Sequence, residues 1–244
     1  MVELKMKKIR LILSSFLNLI LPKFCVNCQR EGFYFCDDCL LFLSESNLIC
    51  PVCQKSSYFG NRHKSCPKLN RLDGLVSFWD YDGSIKEAIH KIKYQGLFDV
   101  LEEVLEQTIY VFEKDPFRFS IFLSFLTDEK TLITFIPTNP VNYKERGFDQ
   151  ARLLADHLAR TLKKSTSVLL KKNRNTKSQT GLNKEERFIN VKDSFSFIPQ
   201  GSGVIEKVLL VDDVWTSGAT MQEGCRVLKN NGIKEVWGLT IAKA

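Results

Sequence analysis

The sequence VLLVDDVWTSGAT, residues 208–220, decides the fold because an apolar run leads into two acids and then into a short polar loop. Residues 208–211 are continuously apolar, which is typical of a buried strand in a parallel sheet. In open α/β sheets, ligands bind beyond the carboxyl ends of such strands. The chain has 244 residues, enough for one ordinary domain and a small module. We therefore expect an α/β domain with a ligand site after this strand.

The loop after the acids has the composition of a phosphate site. It offers hydroxyls and backbone amides, and a helical pattern whose amino end attracts anions begins within it. A Walker-type phosphate loop is disfavoured because no Gly-Lys-Ser/Thr sequence follows the glycine. The candidate phosphate-binding residues are Thr216, Ser217, Gly218, Ala219 and Thr220.

The two acids, Asp212 and Asp213, suit a ribose, because carboxylates would repel a phosphate dianion. They would bind vicinal hydroxyls directly or through Mg²⁺, a hard cation that prefers oxygen ligands. The implied ligand is a sugar 5-phosphate. The whole segment resembles the phosphoribosyl-pyrophosphate (PRPP) binding motif of type I phosphoribosyltransferases. Trp215 departs from that motif, which has a small aliphatic residue there, and either packs over the ribose or fills space.

Seven of the eight cysteines lie between residues 25 and 66, in three Cys-x-x-Cys pairs followed by His-x-x-Cys. Each such pair can supply two ligands of a tetrahedral Zn²⁺ site from one tight turn. A disulfide framework is the alternative and would require an oxidising compartment. We predict two structural zinc sites and expect metal removal to unfold this module alone. The ligands would be Cys25, Cys28, Cys36 and Cys39 in the first site and Cys50, Cys53, His63 and Cys66 in the second.

The amino terminus has a basic stretch, residues 5–10, before an apolar run, residues 11–21. This resembles a signal peptide but has no small-residue cleavage site, and the run is too short to span a bilayer. We interpret residues 1–22 as an amphipathic helix that docks on the protein, with an export or membrane-surface role as the alternative. We expect a cytoplasmic protein without a transmembrane segment. The net charge of +7 fits phosphorylated or nucleic-acid partners but discriminates little between them.

The remaining patterns divide the chain into a zinc module, residues 23–68, and a sheet domain, residues 72–244. Strands that alternate with helices predict a doubly wound, mainly parallel sheet. We expect residues 72–81 to form an antiparallel strand pair or an edge strand, and residues 171–186 to form a mobile loop. The other predicted strands are 132–136, 168–170, 208–211 and 235–241, and the predicted helices are 85–92, 98–112, 149–164 and one ending near residue 231; residues 115–129 receive no assignment.

With the zinc module placed ahead of this sheet, the chain resembles the ComF family. Its members combine an N-terminal double zinc ribbon with a type I phosphoribosyltransferase domain and are associated with DNA uptake in naturally competent bacteria. Residues 146–150, Arg-Gly-Phe-Asp-Gln, resemble the family's Arg-Gly-Phe-Asn-Gln, with Asp149 replacing Asn. Further matching positions are Lys93, Tyr94, Arg174, Gln179, Leu182, Arg187, Asn190 and Phe195.

The resemblance implies a site for PRPP and Mg²⁺. Breaking the bond between C1 and pyrophosphate leaves a highly charged group that cations must stabilise. Related enzymes cradle pyrophosphate at the position of residues 137–139. Lys93 and Arg146 are candidate charge partners of the pyrophosphate, with Arg146 as a catalytic residue. Arg174 and Arg187 could close over the site and exclude water. The loop residues implied in PRPP binding are Pro137, Thr138 and Asn139.

Two functions remain open on the sequence. One is a transferase that moves phosphoribosyl from PRPP to an acceptor that the sequence does not identify. The other is a non-catalytic protein that uses the same fold to bind single-stranded DNA. Phosphate contacts and aromatic stacking would support such binding. A basic, aromatic-flanked loop is formed by Tyr58, Phe59, Arg62 and Lys64. The resemblance implies a role in DNA uptake and natural transformation, with proteins of the uptake machinery as partners, for the PRPP-binding protein as well. A PRPP-sensing regulator has no positive support.

Overall fold

A four-stranded parallel sheet forms the centre of the protein in the computed structural model, which describes residues 22–174, 176, 181, 183–201 and 204–244. The predicted helix over residues 1–22 lies outside the described residues except for Pro22. The strands, in their order across the sheet, are β1 (Gly74–Asp80), β6 (Glu235–Lys243), β5 (Lys207–Trp215) and β2 (Thr131–Phe135). All three pairings are parallel, which confirms the α/β class.

Helices cover both faces of this sheet, and a short antiparallel ribbon lies beside it. The helices are α1 (Asp37–Leu40), α2 (Gly83–Gln95), α3 (Phe98–Lys114), α4 (Ser120–Thr127), α5 (Pro140–Arg146), α6 (Gln150–Thr161), α7 (Lys184–Val191) and α8 (Ala219–Asn230). The ribbon consists of β3 (Leu170–Lys172) and β4 (Phe195–Phe197).

The continuous apolar run in β5 is explained by burial on both sides. Leu209 and Val211 belong to the hydrophobic core that contains α2, α3 and α6. Val208 and Leu210 belong to a second core, on the α8 side. Because successive side chains of a strand point to opposite faces, a strand covered on both faces needs apolar residues at every position.

Strand β1 confirms one expectation and corrects another. It is an edge strand of the sheet, as predicted, but it pairs with β6 in parallel, so the antiparallel strand pair was wrong. Its outer edge is contacted by the Cys-rich segment: the Ser46 amide donates to the Phe78 carbonyl at 2.8 Å, and the Leu75 amide donates to the Gly60 carbonyl at 2.9 Å. These bonds protect backbone groups that an open edge would leave unpaired.

The segment predicted as a mobile loop, residues 171–186, is partly regular. Strand β3 runs on to Lys172, so it begins and ends two residues later than the predicted strand 168–170. Helix α7 begins at Lys184, where Asn183 and Glu186 form a capping box. Both side chains satisfy backbone amides at the helix start, which stabilises a short polar helix without an extended apolar stripe. The unassigned, Phe-rich segment contains α4.

The Cys-rich segment packs directly on the sheet domain. Val26, Phe35 and Leu48 share a hydrophobic core with the sheet. The Glu103 carboxylate of α3 accepts hydrogen bonds from the backbone amides of Tyr34 and Phe35, both at 3.2 Å. Among the described helices, none combines the length and the apolar character that crossing a bilayer requires.

Candidate functional site

Strand β5 continues through the acid pair instead of ending before it. Asp212 pairs with Thr240 of β6, and the pairing extends to Trp215. The sequence placed the strand end at Val211 because charged residues are rare in buried strands; here the long neighbour β6 supplies backbone partners that carry β5 further. Asp212 and Asp213 therefore lie at the carboxyl end of the central strand, half-buried, where ligands of open α/β sheets bind.

The acid pair is only partly neutralised. The Lys93 ammonium, on the last turn of α2, lies 2.6 Å from the Asp213 carboxylate. Burial lowers the pKa of Lys93, but the charge and hydrogen bond of Asp213 outweigh burial, so the net pKa is raised. Burial, together with the charge of Asp213, raises the pKa of Asp212 to about 8. Lys93 thus forms an ion pair with only one of the two acids, and a further cation or a set of hydroxyl donors would relieve their repulsion.

The phosphate loop folds around a buried indole. Gly218 has a φ of 77°, in the left-handed region. A Cβ atom at this glycine would lie 2.3 Å from Cζ2 of Trp215, which is only 1% exposed. The Ser217 hydroxyl accepts a hydrogen bond from the Ala219 amide at 3.3 Å. Trp215 therefore fills space beneath the loop and does not cover a ribose.

The loop over residues 137–139 lies beside the acid pair, since the Ile136 amide donates to the Val211 carbonyl at 2.9 Å. The Thr138 amide donates to the Asp149 carboxylate at 2.6 Å. The Asn139 side chain caps α5 by accepting from the Val141 amide at 2.9 Å. Two of the three residues implied in pyrophosphate binding are thus engaged within the protein, and the Thr138 amide would have to exchange partners to reach a ligand.

Asp149 has a structural role that its sequence match did not reveal. One carboxylate oxygen holds the Thr138 amide, and the other accepts from the Arg152 amide at 3.1 Å, which caps α6. Burial raises the pKa of Asp149, and this effect exceeds that of the two hydrogen bonds, which lower the pKa. The two oxygens of the carboxylate join the loop to the helix, which an asparagine, with a single acceptor oxygen, could not do in the same way.

Lys172 is a cation of this site that sequence reasoning missed. Burial lowers the pKa of its ammonium, while the charges of Asp212 and Asp149 oppose that effect. The ammonium also lies 5.7 Å from the ring centroid of Phe195. The residue belongs to a basic stretch that we assigned to a loop, so nothing distinguished it from its solvated neighbours. Its position two residues after the apolar Leu170, on the same side of a strand, was the available signal.

The predicted arginines lie in different surroundings. The Arg146 guanidinium lies 5.2 Å from the ring centroid of Tyr94, the aromatic that follows Lys93. Arg174 donates to two carbonyls at the end of α7, those of Asn190 at 3.2 Å and Lys192 at 2.7 Å. Arg187 is half-buried on α7. Gln179 and Leu182 lie outside the described residues. The acids, the phosphate loop and Lys93 are therefore brought together, whereas the Arg174 side chain contacts a helix end.

Both predicted metal clusters are assembled. The four candidate ligand atoms in each lie within 4.8 Å of one another. In the first cluster burial opposes ionisation of Cys25, but backbone amides, with that of Cys36 foremost, lower its pKa to about 6, while burial raises the pKa of Cys39 to about 12. In the second, burial also opposes ionisation of Cys50, yet the amides of Cys53 and His63 lower its pKa. Amides that converge on a sulfur stabilise a thiolate, the form that binds metals.

His63 completes the second cluster. Its Nδ1 atom lies 3.3 Å from the Cys53 sulfur, and its Nε2 atom lies 3.0 Å from the Ser56 carbonyl oxygen. A carbonyl oxygen can only accept, so this hydrogen bond requires the ring proton on Nε2 and leaves the Nδ1 lone pair for a metal. Metal-binding histidines are commonly oriented in this way. Each cluster can thus hold a metal ion, and the donor sets are consistent with zinc.

Comparison with known proteins first defines the class. Residues 149–243 match the phosphoribosyl transferase domain family. This range includes the acid pair and the phosphate loop. The protein therefore contains a phosphoribosyltransferase domain on a parallel α/β sheet, preceded by two Cys-rich clusters.

The chain is also similar to several proteins that align with most of its length. Competence protein F of Haemophilus influenzae is 28% identical over 226 residues, which cover 89% of this chain and 90% of the relative. Competence protein ComFC of Streptococcus pneumoniae is 26% identical over 203 residues, 81% of this chain and 88% of the relative. DNA utilization protein YhgH of Escherichia coli K12 is 27% identical over 218 residues, 88% and 87% respectively. The resemblance to the ComF family is confirmed.

Proposed function

We propose that the protein binds PRPP, or another ribose 5-phosphate ligand, with Mg²⁺ at the carboxyl end of β5. The observation that carries this proposal is the shared cleft: Asp212 lies against the loop of residues 216–220. A phosphate monoester would accept hydrogen bonds from the loop amides at the amino end of α8. Asp212 and Asp213 would hold the ribose diol.

The cations around the cleft support a ligand with more than one phosphate. Lys93 forms an ion pair with Asp213, and the negative charge of Asp212 opposes the lowering of the Lys172 pKa by burial. Both ammonium groups would stabilise charge that develops on pyrophosphate as the bond to C1 breaks. Mg²⁺, held by carboxylate and ligand oxygens, would supply further charge stabilisation there. The proposed site also includes Arg146 and the loop of residues 137–139, which would contact the pyrophosphate. Arg174 and Arg187 would close over the bound ligand.

The competence-associated names of the relatives support a role in DNA uptake and natural transformation for this chain as well. We further propose that zinc fills both Cys-rich clusters. Residues 23–68 would then form a zinc-ribbon module ahead of a phosphoribosyltransferase domain over residues 72–244. The amino-terminal residues 1–22 would form an amphipathic helix. Thiolate–zinc sites persist in a reducing compartment, so we place the protein in the cytoplasm.

The test is a double substitution, Asp212→Asn with Asp213→Asn, assayed by calorimetric titration with PRPP and Mg²⁺. We expect the variant to lose PRPP binding and to keep its circular dichroism spectrum, because both side chains retain their size. Asp156→Asn, on an acid of α6 outside the cleft, is the control and should bind normally. Normal PRPP affinity in the double variant would remove the ribose assignment.

Binding of single-stranded DNA is the second candidate, and an exposed aromatic row favours it. Tyr58 is 81% exposed and Phe117 is 68% exposed, and the two rings flank that of Phe59. Their ring centroids lie 5.4 Å and 5.7 Å, respectively, from the Phe59 centroid. Unpaired bases stack on such rings. Of the basic residues in this loop, Arg62 already donates to the carbonyls of His63 and Cys66. The test is a gel shift with an oligonucleotide at low salt: no complex would eliminate this candidate, and a complex should weaken steeply as salt is added.

A further inference from the structure

The two metal clusters share a local backbone arrangement. In each, a Cys-x-x-Cys turn is followed by a glutamine with a left-handed backbone, Gln29 with φ of 63° and Gln54 with φ of 62°. The backbone amide of each glutamine donates to the carbonyl of the first cysteine in its turn, at 3.1 Å to Cys25 and at 2.9 Å to Cys50. The two glutamines therefore begin from equivalent positions, and any difference between them lies in their side chains.

Those side chains make different contacts. The Gln29 side-chain amide donates to the Cys25 carbonyl at 3.1 Å, within its own turn. The Gln54 side-chain amide instead donates to the carbonyl of Ser217, in the phosphate loop, at 3.0 Å. Only the second cluster therefore uses this glutamine to contact the proposed ligand site.

A second glutamine connects the same turn to the helix behind the loop. Gln222 lies on the first turn of α8 and is 4% exposed. Its side-chain nitrogen donates to the Pro51 carbonyl at 2.7 Å, and its side-chain oxygen accepts from the Leu72 amide at 3.3 Å. The second metal turn is thus bonded to both ends of the segment 217–222, which carries the loop and the amino end of α8.

The position of this turn depends on the second cluster. Pro51 lies between two of its ligands, Cys50 and Cys53, and Gln54 directly follows the latter. In small metal-binding modules the metal supplies much of the folding free energy, so an empty cluster would leave these backbone atoms less ordered. The first cluster contacts Glu103 of α3 instead, through the amides of residues 34 and 35.

We propose that Gln54 and Gln222 are positioning residues that make phosphate-ester binding by residues 216–220 depend on a metal ion in the second cluster. The inference rests on the proposed function of that loop. The loop amides must be directed at one point to hold a phosphate. Two hydrogen bonds, one donated by the metal-ordered turn through Gln54 and one donated to it by Gln222, restrict the loop to one conformation. Pre-ordering of this kind increases affinity because less conformational freedom is lost on binding.

The first experiment compares Gln54→Ala with Gln29→Ala in the full-length, zinc-loaded protein by calorimetric titration with PRPP and Mg²⁺. We expect Gln54→Ala to weaken PRPP binding about three- to tenfold, the effect of one hydrogen bond, and Gln29→Ala to leave it unchanged. Zinc content should match the wild type in both variants, and the melting temperature should fall by a similar small amount in each, since each loses one side-chain hydrogen bond. Such a result would distinguish loop positioning from general destabilisation. Equal PRPP affinities in the two variants would overturn the inference.

The second experiment empties one cluster at a time with Cys66→Ser and Cys28→Ser. Each variant should lose one zinc per chain, and only Cys66→Ser should weaken PRPP binding; equal weakening in both would contradict the inference. If Cys66→Ser does not fold, the comparison of Gln54→Ala with Gln29→Ala still tests the inference, because both of these variants keep every metal ligand. Wild-type protein that fails to bind PRPP would overturn the proposed function and this inference together, whereas binding that is indifferent to Gln54 and the second zinc would overturn the inference alone.

Discussion

Gly218 and Trp215 are in direct contact beneath the phosphate loop. The glycine lies where its left-handed backbone turns the chain into α8, and its Cα faces the buried indole. The large side chain at position 215 leaves no room for a Cβ atom at position 218. The two residues therefore fix the shape of the loop from below, in addition to the bonds from Gln54 and Gln222.

We predict that Gly218→Ala is strongly destabilising. A left-handed backbone costs a non-glycine residue about 1–2 kcal/mol, and a Cβ atom 2.3 Å from the indole adds an overpacking cost of about 1–3 kcal/mol. Gly232→Ala is the matched control, because Gly232 has a φ of 94° but open space around its Cα. Urea unfolding should show a clearly larger loss for Gly218→Ala. Equal losses would contradict the packing role of Trp215.

The residues of the candidate site differ in how far the sequence revealed them. Asp212 and Asp213 could be found because an acid pair after an apolar run is chemically distinctive. Lys172 was missed, since its basic neighbours obscured its position two residues after Leu170. Gln54 and Gln222 carry no local signal at all, because their partners Ser217 and Pro51 lie 163 and 171 residues away along the chain. Side-chain amides that act only through tertiary hydrogen bonds are invisible to pattern and composition.

At the scale of the element, α7 differs most from its prediction. Its sequence, Lys184–Val191, is largely polar, and Val191 is its one fully buried residue. Its ends are held by side chains: the capping box at Asn183 and, at the other end, Arg174 on two carbonyls. Apolar periodicity predicted α2, α6 and α8 correctly because those helices bury a stripe, whereas α7 depends on its caps.

We predict that Arg174→Ala loosens α7. The guanidinium donates to the carbonyls of Asn190 and Lys192 at the end of α7, so its removal should raise amide hydrogen exchange along α7. Lys171→Ala, on an exposed lysine of the adjacent β3, removes the same charge and should leave exchange unchanged. Unaltered exchange in Arg174→Ala, together with lost PRPP affinity, would instead favour the proposed contact between Arg174 and the ligand.

At the scale of the whole molecule, the Cys-rich segment and the sheet domain are packed together. They share a hydrophobic core through Val26, Phe35 and Leu48, and Glu45 accepts from Lys114 at 2.8 Å and from Arg118 at 3.0 Å. The sequence suggested a separate module because the cysteine spacing ends abruptly near residue 68. It could not reveal that the module covers the outer edge of β1.

This shared core changes the expectation for metal removal. We predict that a strong chelator lowers the melting temperature of the whole protein in one calorimetric transition, because unfolding the module exposes apolar surface of the sheet. The sequence alone led us to expect a module that unfolds while the sheet persists. Two separate transitions in the chelated protein, the upper one unchanged from the metal-loaded protein, would support that earlier expectation over the present one.

The most direct measurement is a crystal structure of the zinc-loaded protein with ribose 5-phosphate and Mg²⁺. We predict that the phosphate lies on the backbone amides of residues 216–220 and that the ribose hydroxyls face Asp212 and Asp213, directly or through the cation. An unoccupied cleft at saturating ligand, or a ribose 5-phosphate bound elsewhere on the protein, would contradict the account.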